Sequence, residues 1–266
     1  MLQDDPQKEQ APCILCLELP PADQNDYWGH LQLQVHEVAS WQPFTVVQRT
    51  GGRAELHMLL KPRVRDGATG HYANWSSHAK ARAVRAMWYQ NPLRIRWTGP
   101  FGGKLSNSEL YSMADGVIFV CWGTGFTTIT QGLSSLMALM RSGQQVPPVP
   151  VFWRGSGYNS LYRNYYWEKV VPICAEYQAQ YHVENVLQTW MENPTDFRVW
   201  GREEFEQQVI AKVRWYTQNG GQHGGKVFVG MCGGSQAARG MERGICDQLD
   251  SDGTSQLVTM EKEVFG

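Results

Sequence analysis

An excess of either charge is missing from this 266-residue chain: 24 lysines and arginines face 25 aspartates and glutamates, for a formal net charge of -1. No basic excess is left to neutralise a nucleic-acid backbone or an anionic bilayer, so the expected partner is a small molecule, with no nucleic acid. Cysteine is scarce as well. Six thiols, at positions 13, 16, 121, 174, 232 and 246, are too few and too scattered for a disulfide framework and point to a reducing compartment, the cytoplasm. No apolar run reaches the roughly 18 residues of a membrane span. The most apolar stretch, 116–140, is broken by Gly123, Gly125, Gln131 and a group of threonines. The start Met1-Leu2-Gln3-Asp4-Asp5-Pro6 is acidic and polar, unlike a signal or transit peptide. A soluble chain is expected.

What is present divides in two, in keeping with about 150 residues per domain. Residues 1–112 carry short β-type runs at 14–19, 31–35, 44–48, 55–60 and 93–97, separated by turn residues, the pattern of a small antiparallel sheet or barrel. Cys13-Ile14-Leu15-Cys16 has redox or metal spacing, but no second ligand pair follows, and the run reads as an apolar strand. An alanine-rich helix at 77–89 carries Lys80, Arg82 and Arg85, either a solvated basic face or a phosphate contact.

Residues 113–266 alternate strand and helix. Gly116-Val117-Ile118-Phe119-Val120 is a continuous apolar run, as in a parallel strand buried on both faces. Ile129, Leu133, Leu136, Met137 and Met140 follow at helical spacing, and Ser142-Gly143 ends that helix. A strand at 149–153, a helix marked by Phe205, Val209, Val213 and Tyr216, a strand from Lys226, a last helix and an edge strand at 256–260 complete a doubly wound parallel sheet.

Three places carry chemistry. In the turn Cys121-Trp122-Gly123-Thr124-Gly125, two glycines lead from a strand to a helix N-terminus, which suits a diphosphate and equally a tight turn. Cys232-Gly233-Gly234-Ser235 repeats the strand-to-helix step, so Cys232 lies beside a bound nucleotide or is a buried spectator. Upstream, Pro43-Phe44-Thr45, then Arg63, Arg65, Gly67 and Thr69, then Gly99-Pro100-Phe101-Gly102 offer an aromatic, a hydroxyl, arginines and glycine turns. A flavin dinucleotide needs that set: Phe44 to pack on the ring, Thr45 to bond its polar edge, Arg63 or Arg65 to pair with the pyrophosphate. By residue type alone they read as a core phenylalanine and surface arginines.

Taken in order, these segments resemble the ferric reductase and NADPH oxidase branch of the ferredoxin-reductase-like flavoproteins, across about residues 35–265, and fungal metalloreductases above all. In that family a His-Pro-Phe-Thr motif holds the flavin, a Gly-Pro-Tyr/Phe-Gly turn closes the flavin domain, a Gly-Gly-Thr/Ser-Gly-Ile turn binds NADPH phosphates, and Cys-Gly-Pro lies by the nicotinamide. Here they become Pro43-Phe44-Thr45, Gly99-Pro100-Phe101-Gly102, Gly123-Thr124-Gly125-Phe126-Thr127 and Cys232-Gly233. The approach Val35-His36-Glu37-Val38-Ala39-Ser40-Trp41-Gln42 and the ending Glu261-Lys262-Glu263-Val264-Phe265-Gly266 are similar to those of the fungal proteins.

The resemblance implies a ferredoxin-reductase-like fold: a shortened FAD-binding β-barrel over 1–112 and a Rossmann-like NADPH-binding domain over 113–266. It implies electrons passing from NADPH through FAD to haem or a ferric or cupric chelate, in iron homeostasis, with an oxygen-reducing, superoxide-producing oxidase as an alternative. Thr127, Cys232 and Phe265 become the residues beside the reacting rings, Phe265 as an aromatic cover for the flavin or as loose tail. Arg154 and Ser156, with Arg163 as second choice, become readers of the adenosine 2′-phosphate. A haem-bearing transmembrane domain is the implied partner. The sequence also departs from the pattern: Gln42 stands for the motif histidine, Trp122 for a phosphate-turn glycine, Gly234 for a proline. A tryptophan at a turn built for close approach must point away for a diphosphate to fit. These departures keep open a third reading, a truncated, inactive relative serving as a nucleotide-binding or interaction module.

Overall fold

The computed structural model describes residues 13–19, 29–35, 41–48, 54–60, 78–80, 82, 83, 86, 89, 93–101, 103, 105, 108–147, 149–155, 160–181, 187–191 and 202–265. Five strands, β1 (Cys13–Glu18), β2 (His30–Val35), β3 (Gln42–Gln48), β4 (Ala54–Leu60) and β5 (Ile95–Phe101), make an antiparallel sheet in the order β1-β4-β3-β2-β5. β3 is divided between two partners. Its first residues pair with β2, Thr45 opposite His30, and its last with β4, Val46 opposite Leu56. Side chains alternate across a strand, so Leu31, Leu33, Val35, Val46, Leu56, Met58 and Leu60 form this sheet's core, while Thr45 and Val47 point away from it. Val47 joins the core of the second sheet instead.

Two expectations change here. Gly99 and Pro100 continue β5 rather than forming a turn. β5 is the outer strand of the described sheet, so the N–H that proline lacks removes no inner ladder bond. Of the segment expected as a helix at 77–89, the described residues Ala79, Lys80 and Ala83 are buried, so its described part is not a uniformly solvated basic face. Cys13 and Cys16 do lie on a strand. Three positions apart, they fall on opposite faces of it.

The second half contains α1 (Ser108–Ser112), β6 (Gly116–Trp122), a 3-10 turn (Gly123–Gly125), α2 (Phe126–Arg141), β7 (Val151–Gly155), α3 (Ser160–Tyr165), a π-helical turn (Tyr166–Val170) and α4 (Val171–Tyr181). Then come β8 (Leu187–Met191), α5 (Arg202–Gln218), β9 (Val227–Gly234), α6 (Ser235–Asp252) and β10 (Val258–Phe265). Its strands run parallel in the order β10-β9-β6-β7-β8. Helices cover both faces: Val117, Phe119 and Cys121 pack with α2 and α4, whereas Ile118 and Val120 pack with Phe205, Val209 and Val213 of α5 and Met241 and Ile245 of α6. Burial on both sides is why these strands read as unbroken apolar runs. Among the described residues no helix is long and apolar enough to cross a membrane.

Asp115 fastens the base of this sheet, its carboxylate accepting the N–H of His223 at 2.9 Å and of Gly225 at 2.7 Å. Partial burial pushes the carboxyl up, but the N–H groups of His223, Gly225 and Gly221 outweigh it and hold the pKa below 3.8. A depressed carboxylate stabilises fully above its unfolded pKa, and that contribution is lost as pH falls through the folded value. Asp115→Ala is expected to lower urea-unfolding stability at neutral pH by about 2 kcal/mol. The gap from wild type should narrow as pH falls through the lowered carboxyl pKa; a gap that does not narrow would show that the charge is not what fastens the loop.

Candidate functional site

Connections from β6 run outward to β7 and β8, while β9 and β10 lie on the other side of β6. The reversal falls between β6 and β9, and open α/β sheets bind ligands in the crevice outside the carboxyl ends of such strands. Both glycine turns sit there, since Cys121 is opposite Cys232. They also need each other. A Cβ on Gly125 would lie 2.4 Å from the Cys232 carbonyl oxygen, and one on Gly233, whose φ is +154°, would lie 3.0 Å from Trp122 Cβ.

α2 opens directly after Gly125, which directs its N-terminus, the positive end of the helix dipole, to the carboxyl end of β6. The turn is anchored from beneath. The Trp153 indole donates to the Gly123 carbonyl at 2.7 Å, the Thr127 hydroxyl donates to the Thr124 carbonyl at 3.0 Å, and the Phe126 ring is buried in the core. The Phe126 backbone N–H bonds the Thr124 carbonyl, which closes the turn on itself. Trp122 lies on the other side of the sheet from α2: its ring meets Phe205 of α5 edge to face, with centroids 5.9 Å apart. The tryptophan therefore points away from the first turn of α2. Half-buried Arg154 is its register neighbour on β7.

The antiparallel sheet meets this crevice along one face. Thr128 of α2 donates to Thr45 at 3.2 Å and receives the Cys232 thiol proton at 3.1 Å. Thr45 and Cys232, far apart in sequence and on different sheets, are thus joined through one hydroxyl. Neither is open, Thr45 being 4% and Cys232 0% exposed. Burial pushes the Cys232 thiol up to about 12, the Thr128 bond opposing and Glu263 adding to that shift. His30 stands opposite both Thr45 and Phe101, so all three share the face, and the His30 and Phe101 rings lie 5.4 Å apart. Phe101 is 40% exposed, and Pro43, Gly99 and Pro100 are exposed. Phe44 instead packs on the antiparallel core, the opposite side of β3 from Thr45, so these two neighbours do not meet a ligand from one side.

Phe265 pairs with Gly234, which brings the end of β10 to the carboxyl end of β9. Of Phe265 and Arg163 only the backbone is described; Arg63, Arg65, Gly67, Thr69, Gly102 and Ser156, and the approach at 36–40, lie outside the described residues. Two residues unassigned by sequence belong to the junction. Gln131 of α2 bonds the peptide groups of Gly29 and Val46, and Thr128 makes the link just described. Their signal was a polar stripe, Thr128, Gln131 and Ser135, at helical spacing beside the apolar period of the same helix.

No protein-family model matches the chain, and no curated protein does. Solved structures do. Ferredoxin-NADP+ reductase from Plasmodium falciparum with 2′P-AMP aligns over 94% of this chain and 88% of its own at 11% identity, with a TM-score of 0.55. Full-length CYP116B46 from Tepidiphilus thermophilus aligns over 96% of this chain but 27% of its own, at 14% identity and a TM-score of 0.53. The Amycolatopsis cytochrome P450 reductase GcoB aligns over 94% and 64%, at 14% identity and a TM-score of 0.50. The chain has the ferredoxin-NADP+ reductase fold, an antiparallel β sheet followed by a parallel α/β sheet. Its likeness to these proteins is one of fold.

Gly125→Ala drives a methyl group into the Cys232 backbone and should cost about 2 kcal/mol in thermal unfolding. Gly234→Ala meets nothing within 4 Å and should be near neutral. Equal effects of the two would refute the packing of one turn on the other.

Proposed function

We propose that this chain is the FAD- and NADPH-binding region of a flavin-dependent oxidoreductase that passes electrons from NADPH to a haem or to a ferric or cupric chelate, in the manner of ferric reductases. The observation that carries the reading is a meeting of surfaces: within the ferredoxin-NADP+ reductase fold, the face bearing Thr45, His30 and Phe101 adjoins the carboxyl ends of β6 and β9.

The nucleotide end fits NADPH. Gly123, Thr124 and Gly125 lead into the first turn of α2, whose helix dipole suits a diphosphate, and Trp122 is turned to Phe205. Arg154, on the neighbouring strand end, is assigned the 2′-phosphate together with Ser156. The flavin end has open surfaces in Pro43, Gly99, Pro100 and Phe101, with Arg63, Arg65, Gly67, Thr69 and Gly102 assigned to the FAD phosphates and Thr45 to the flavin's polar edge, while Phe44, on the other side of β3, is given no ring contact. Bound FAD would supply a carrier that accepts a hydride and releases electrons singly. The protein's part is positioning. A thiol held near 12 stays neutral at physiological pH, so Cys232 serves with Gly233 and Thr127 to orient a nicotinamide rather than as a nucleophile. Phe265 is assigned to cover the flavin, and a haem-bearing membrane domain is the proposed partner.

One observation favours a second reading, a nucleotide-binding module without turnover: the Thr45–Thr128–Cys232 chain is buried, and Thr128 already occupies Thr45. The two readings separate on the bench. Purified protein supplied with FAD should turn yellow and oxidise NADPH with an artificial acceptor, and Arg154→Ala should raise KM for NADPH about tenfold, some 1.4 kcal/mol, with little change for NADH. A colourless, inactive preparation whose melting temperature still rises with NADP+ would sink the enzyme and leave the module.

A further inference from the structure

α2 has two buried faces of different chemistry. Phe126, Ile129, Leu133 and Leu136 meet the parallel sheet. Thr128, Gln131 and Ser135, buried too, fall at i, i+3 and i+7 and so share the other face. Gln131 is fully buried and fully used. Its Oε1 accepts the Gly29 N–H at 3.2 Å, while its Nε2 donates to the Val46 carbonyl at 2.9 Å and to the Gly29 carbonyl. Gly29 precedes His30 and Val46 follows Thr45, so one carboxamide grips β2 and β3, two of the three strands that carry the Thr45, His30 and Phe101 face. The grip leaves no slack at Gly29, where φ is +84° and an added Cβ would lie 1.6 Å from the Phe101 carbonyl oxygen.

We infer that Gln131 is a positioning residue, which sets the ligand-facing side of the antiparallel sheet at a fixed distance from the nucleotide turn at the head of its own helix. Six residues separate Gln131 from Gly125, about 9 Å along a rigid helix. Thr128 steadies the same face one turn nearer the head, through Thr45. The catalytic consequence rests on the flavin and NADPH reading; the grip on Gly29 and Val46 does not.

Gln131→Met keeps length and burial but removes the amide, and Thr128→Val, which removes one hydroxyl, serves if the first variant does not fold. In FAD-loaded full-length protein, misplacement by about 1 Å should slow flavin reduction by NADPH about 100-fold in single-turnover kinetics. NADPH affinity should stay within about threefold and FAD should remain bound, a split that a merely structural role would not produce. Without any nucleotide, amide exchange at Gly29 (at Val46 for Thr128→Val) should quicken about tenfold or more while Ile118 and Val229 stay protected. Unchanged exchange overturns the inference, as does faster exchange with an unchanged reduction rate, or a loss of rate matched by loss of FAD. A wild type that neither holds FAD nor oxidises NADPH would remove the functional proposal, and the exchange result alone would then uphold or overturn the grip.

Discussion

A fully buried carboxamide between two sheets is a demanding arrangement. Gln131 brings one acceptor and a two-proton donor into the interior, and each is matched by a backbone group of the other sheet. Without the amide, the Gly29 N–H and the Val46 carbonyl would each forfeit a partner, at about 1–3 kcal/mol apiece, while the Gly29 carbonyl would keep the Val46 N–H. Set against the roughly 5–15 kcal/mol that holds a domain folded, that is a large share in one side chain. Apolar contact alone tolerates sliding. A carboxamide matched to three specific peptide groups does not, so α2 fixes register between the sheets as well as adhesion.

The same helix ties the two glycine turns to that register. α2 begins where Gly125 rests on the Cys232 backbone, and the Cys232 thiol returns to α2 through Thr128. The turn after β6, the turn after β9 and strand β3 therefore form one packed unit around a few small residues. A larger side chain at Gly125 would part β9 from α2, and with them the hydroxyl link to Thr45. Glu263 adds a tie from β10, its carboxylate accepting the Leu105 N–H at 3.4 Å in the segment that joins the two sheets.

Much of the parallel half is legible in sequence because burial on two faces leaves a coarse mark: the run at 116–120, the apolar period from Ile129 to Met140, and the stop at Ser142-Gly143, where the Gln144 N–H reaches back to the Leu139 carbonyl. Elsewhere the marks mislead or fade. α3, the π-helical turn, α4 and β8 leave little period; in α4 the deeply buried apolar positions among the described residues are Ile173, Cys174 and Tyr177, with Pro172 beside them. Gly99-Pro100 looks like a turn, and only an outer strand makes room for it. The polar residues of α2 look like interruptions of an apolar run until the second sheet supplies their partners. Trp122 is of the same kind: strand parity places it on one face, but only the position of Phe205 says that this face is covered by α5 and not by α2.

The choice between a working and a silent site turns on Thr45. A threonine hydroxyl has one proton and two acceptor positions. Thr128 uses one acceptor position of Thr45, and Cys232 supplies its own proton to Thr128, so neither bond spends the Thr45 proton. In hydrogen-bond count, then, the hydroxyl chain and a ligand contact at Thr45 are compatible. Access is what divides the readings. Thr45 is covered on the α2 side, whereas its cross-strand neighbour His30 leads to Phe101 and the exposed edge of β5. A flat ligand lying against Phe101 would approach Thr45 from that edge and leave Thr128 and Gln131 in place. On the flavin reading, the buried junction would be the fixed wall of a site open at β5, and its closure would then not oppose catalysis.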